Sequence, residues 1–132
     1  MKRAWKIGAL CAALGFASGT VFSETAYPPL QMILSSSETT LNQDIAYPDG
    51  PARITAAIVT MSPGDSTGWH QHNVPMFAWV LEGDLTVDYG DEGQRTYKAG
   101  DGFLEAFKSY HNGTNTGESE ARILAVFAGA DG

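Results

Sequence analysis

The chain has 132 residues, 43% of them hydrophobic, and a formal net charge of −7. That length holds one domain with one core, and the composition is that of a globular chain rather than a disordered one. With only scattered basic residues, the chain lacks the basic face that nucleic acid or an anionic membrane surface requires, so neither partner is expected.

At the N-terminus Lys2, Arg3 and Lys6 precede an uncharged apolar run from Ile7 to Phe22. Val21 and Ser23 place small residues at the −3 and −1 positions of a cleavage after Ser23. This layout predicts a secretory signal peptide over residues 1–23, with an uncleaved anchor as the alternative; the apolar run is short for a membrane span. Cys11, the only cysteine, lies inside it. Its removal would leave a mature chain without thiols, more acidic than the whole, which suits an oxidising compartment. The expected location is periplasmic or secreted, with no membrane contact once the peptide is cleaved.

Residues 24–52 read as a lead-in with edge strands at the apolar patches Leu30–Leu34 and Thr40–Ile45, ending in the turn Tyr47-Pro48-Asp49-Gly50-Pro51. Residues 53–132 then alternate strand and turn. The expected strands are Arg53–Met61, Met76–Leu81, Leu85–Tyr89, Gln94–Lys98, Gly102–Phe107 and Arg122–Phe127. Glycine-bearing turns such as Pro63-Gly64-Asp65, Glu82-Gly83-Asp84 and Ala99-Gly100-Asp101 separate several of them. Short strands at this spacing predict an all-β sandwich or barrel, without a long helix.

The chain has three histidines: His70 and His72 in His70-Gln71-His72, and His111 ahead of Asn112-Gly113-Thr114-Asn115. Residues i and i+2 of a strand share a face, so His70 and His72 can offer two imidazole nitrogens to one ion. A third histidine from a distant strand closes a tripod and leaves positions open, as catalytic metal sites do. By itself an H-x-H pair is more often a half-exposed surface feature.

The wider spacing resembles the cupin superfamily. Gly64 followed by five residues and His70-Gln71-His72, with Gly83 as closing glycine, is similar to the first cupin motif. Gly100-Asp101 followed by His111 and Asn115 is similar to the second, and the likeness covers about residues 53–128. It implies a single double-stranded β-helix, a jelly-roll-like barrel. It also implies one divalent transition metal (Fe, Mn, Cu, Ni or Zn) on His70, His72 and His111. The pattern departs at the glutamate that many cupins place seven residues before the closing glycine, where this chain has Met76. Three neutral imidazoles then leave the full charge of the ion, which acidifies a bound water or attracts an anionic oxygen.

Two residues are candidates to complete the site. The Met76 thioether would tilt preference toward copper, or it simply packs the interior. Glu105, six residues before His111, faces either solvent or the interior, where it would be a ligand, a partner of a histidine or a catalytic base. The resemblance implies a metal-dependent enzyme on a small organic substrate, a dioxygenase foremost, or a lyase or isomerase. A non-catalytic module that binds or senses a small molecule or metal is the alternative, and a barrel whose histidines only pack is the third. A homodimer is compatible with all three.

Overall fold

A computed structural model describes residues 28–131. Its strands are β1 (Ala52–Met61), β2 (Met76–Glu82), β3 (Asp84–Asp88), β4 (Gln94–Lys98), β5 (Gly102–Leu104), β6 (Asn112–Thr114) and β7 (Ala121–Ala130). Among the described residues the only helical piece is a 3-10 turn at Gly90–Glu92, so the all-β expectation stands. The predicted signal peptide lies outside the described residues.

The strands form two antiparallel sheets, ordered β1-β7-β2-β5 and β4-β3-β6. The longest ladder pairs β1 with β7 from Ala52↔Ala130 to Met61↔Ala121. β2 passes directly into β3 through Gly83, which has φ +76. A Cβ there would stand 2.6 Å from the Glu120 carbonyl oxygen, so both the turn and the close passage of β7 require glycine.

Alternation builds the interior. Ala78 and Val80 of β2, Leu85 and Val87 of β3, Phe103 of β5 and Ile123 of β7 point inward and are buried together, drawing on both sheets. Each such Val, Leu, Ile or Phe contributes roughly 1.5–3 kcal/mol by leaving water. β1 differs. It is the edge of its sheet and exposed along nine of its ten residues, including Ile54 and Ile58.

Three expectations need correction. Leu30–Leu34 and Thr40–Ile45 form no strand; the only ladder contact there is the isolated bridge Glu38↔Asp44. For Thr40–Ile45 the reason is local. Thr39 Oγ1 donates to Gln43 Oε1 at 2.9 Å and accepts from the backbone N–H of Leu41 and Gln43, closing a turn that satisfies itself. The Gly102–Phe107 strand stops at Leu104, because Ala106 N–H turns to the Glu105 carboxylate and Phe107 pairs with His72 instead. The His70–His72 segment is not a regular strand: each histidine makes one isolated bridge, to His111 and Phe107 respectively.

Candidate metal centre

The cross-chain pairing brings the histidines together. His70 and His111 exchange both backbone hydrogen bonds, at 3.0 and 2.9 Å. Lys108 N–H donates to the His72 carbonyl at 2.8 Å, binding the second histidine to the segment just before His111. The three ring centroids lie 4.5–5.0 Å apart, and one ligating nitrogen from each ring lies within 4.8 Å of the others.

The tautomers follow from the partners. His111 Nδ1 lies 2.9 Å from the Ser109 carbonyl and His70 Nδ1 lies 2.8 Å from the Gly68 carbonyl. A carbonyl only accepts, so each Nδ1 carries the proton and each Nε2 keeps its lone pair free. His111 is 2% exposed, and its Nε2 has no hydrogen-bond partner among the described residues. A buried acceptor without a partner costs about 1–3 kcal/mol, a cost that an ion would remove. Burial first, then His111 and His70, push His72 down to about 4, so it stays neutral and able to ligate well into acid. Two rings anchored on backbone carbonyls, a neutral third ring and an orphaned buried nitrogen fit a divalent transition metal, and the three histidines could hold one.

The histidines open onto a cavity of about 140 Å³, whose other walls are mostly aliphatic and aromatic. Met76 and Glu105 both line it. Met76 is half-buried and packs against the core. Glu105 is 5% exposed and faces inward on the same side as Phe103, which decides the orientation that the sequence left open. Its Oε1 accepts from Ala106 N–H at 2.7 Å, while Oε2 stands 3.8 Å from His111 Nε2. The group of mutually close ligating side chains is the three histidines, without Glu105.

Sequence reading missed three residues here. Thr67 lines the cavity and accepts from Gly113 N–H at 3.0 Å through its hydroxyl, tying the two histidine-bearing segments together. Tyr89 is buried beside His111, with ring centroids 6.0 Å apart, and its hydroxyl meets that of Tyr97 at 3.2 Å. Burial and then the Glu105 carboxyl push Tyr89 far above the ordinary tyrosine range, so it remains a proton donor. The inward parity of Leu85 and Val87 was the signal that reaches Tyr89. Gln43 grips both backbone groups of Phe107: its side-chain amide donates to the carbonyl at 2.8 Å, and its Oε1 accepts the N–H at 2.9 Å. Asn115, 1% exposed, accepts from Gly117 N–H and donates to Met61 and Ser119 carbonyls; its side-chain hydrogen bonds secure the turn after β6 rather than a histidine ring.

Two antiparallel sheets enclose an apolar interior faced by a three-histidine cluster that could hold a metal ion. A family model for the cupin domain matches residues 57–127, and the chain belongs to the cupin family. Among curated proteins no sequence relative matches. Solved structures agree on the fold. A Bacillus halodurans protein is 21% identical, with TM-score 0.54, covering 60% of this chain and 64% of its own. A cupin domain from Bordetella pertussis is 20% identical, with TM-score 0.52, covering 64% of this chain and 100% of its own. A predicted oxalate decarboxylase from Thermotoga maritima is 28% identical, with TM-score 0.51, covering 58% of this chain and 66% of its own.

Proposed function

We propose that this protein is a metal-dependent enzyme acting on a small organic molecule, with dioxygenase-like or lyase- or isomerase-like chemistry. The observation that carries it is the partnerless buried Nε2 of His111, set among three histidines and opposite an inward carboxyl in an apolar cavity. His70, His72 and His111 would hold the ion. A divalent ion there supplies Lewis-acid polarisation of a ligating oxygen.

The chain's own residues do the rest. Glu105 has one oxygen fixed by Ala106 N–H, leaving the other to accept a proton from a molecule in the cavity. Tyr89 and Tyr97, both held above the ordinary tyrosine range chiefly by burial, keep their hydroxyl protons behind the site. Most of the walls are carbon, so the surroundings of the polar cluster are apolar. A module that only binds a metal needs the histidines but has no use for a buried acid, and Glu105 therefore favours catalysis over the non-catalytic alternative. The Thermotoga neighbour, a predicted oxalate decarboxylase, points to a small carboxylic acid as the class to test first. The N-terminal segment supports export to a periplasm or outside the cell.

Elemental analysis of the mature protein from its native compartment tests the reading. About one transition-metal ion per chain is expected, lost when His70 and His72 are both replaced by alanine while the barrel stays folded. A chelator-treated protein that regains no metal, or a double variant that keeps it, overturns the proposal.

A further inference from the structure

The cavity walls also restrict what can occupy the site. Resting on the metal reading above, we infer that the ligand is a compact, single-headed molecule: one carboxylate or enolate oxygen group on a short apolar body, about six heavy atoms in all. Three observations support this.

The first is volume. About 140 Å³ is available, close to an apolar cavity of about 150 Å³ that accepts benzene. The second is the layout of polar groups. Thr67 Oγ1 stands 3.5 Å from His70 Nδ1, the histidine rings are 4.5–5.0 Å apart, and Glu105 is 3.8 Å from His111. These groups form one connected cluster, so polarity is concentrated in one region of the wall. The remaining surface is carbon, from Ala57, Val59, Leu85, Ile123 and Phe127 among others.

The third is that, among the described residues, no lysine or arginine lines the cavity. Among the described lining residues, the positive charge a ligand meets is the one an ion would bring to the histidines. A single anionic head is matched there. A second carboxylate would meet aliphatic carbon, with water at the exposed β1 side as its only donor, and giving up part of its hydration is costly. The site therefore selects a monocarboxylate or enol over a dicarboxylate of the same length.

Butyrate and succinate make the test, because they differ in a terminal methyl against a terminal carboxylate. Full-length protein loaded with Ni(II) is titrated with each by calorimetry, and nickel is counted in the same samples. Butyrate should bind about tenfold or more tightly than succinate. Ala57→Leu, on the exposed edge strand β1, should fill the cavity and remove butyrate binding while nickel stays bound. Val59→Lys, at a position 39% exposed on the same strand, keeps its ammonium near water and should raise succinate affinity about tenfold. Nickel content checks that each variant still holds its site. Succinate binding as tightly as butyrate, or butyrate binding untouched by both variants, overturns the inference while leaving the metal reading intact. Failure to hold nickel overturns the metal reading itself, and this inference with it.

Discussion

His111 is 2% exposed and follows the buried pair Glu105 and Ala106, whereas His70 and His72 are only half-buried and come after Thr67, Gly68 and Trp69, all open to solvent. The two arms meet through the backbone bonds between His70 and His111. The buried arm is thus part of the core that folds the barrel, and the open arm lies over it from the solvent side. Ligand geometry is shared equally among the three rings, but the contribution to folding is not.

The largest expected effect separates the arms directly. His111→Ala empties a fully buried site and strands the Ser109 carbonyl, a cost partly offset by removing the partnerless Nε2, so the metal-free protein should lose about 1–3 kcal/mol. His70→Ala removes a half-exposed ring and should cost less than about 1 kcal/mol. Both variants should lose metal. Urea denaturation in the presence of a chelator measures the difference, and equal destabilisation would erase the distinction between the arms.

A smaller effect concerns protons. His72 titrates at about 4 in the folded chain against 6.5 when free. Between these values the unfolded chain binds the proton and the folded chain does not, so acid favours unfolding there. The contribution is complete above about pH 6.5, shrinks as the pH falls toward about 4, and declines no further below that. Metal-free wild type should therefore lose stability across this window more steeply than His72→Ala. Parallel stability profiles for the two proteins would mean that His72 is not held neutral by its surroundings.

The same contrast shows what could be read from the chain alone. β1, β2, β3, β4 and β7 run for five or more residues, are rich in apolar, β-branched or aromatic residues or are set off by glycine-bearing turns, and the expected strands overlap them. β6 escaped because Asn112–Thr114 is three residues long with no apolar member. The histidine cluster was legible through spacing between turns, which survives even though His70 and His72 sit on isolated bridges rather than a strand. The orientation of Glu105 was not. Parity from Phe103 gives the right answer, but β5 ends at Leu104, and nothing local says that the alternation continues one residue further. The role of Gln43 was beyond local reading altogether. Its partner Phe107 lies 64 positions away, and a polar side chain that substitutes for a strand partner leaves no periodic signal.

Met76 belongs to neither arm and gives the smallest expected effect. It opens β2, and its backbone carbonyl accepts from Glu105 N–H at 2.9 Å, so it positions the acid whatever its side chain is. The side chain lines the cavity and packs against the core. If packing is its whole role, Met76→Leu conserves volume and should change stability by less than about 1.5 kcal/mol. Affinities for nickel, zinc and copper should then stay level with wild type. If the thioether ligates, the loss should fall on copper far more than on zinc, because leucine offers no soft donor. Competitive metal titrations of the two proteins separate these outcomes, and a copper-selective loss would make the fourth position a property of this chain's methionine rather than of solvent.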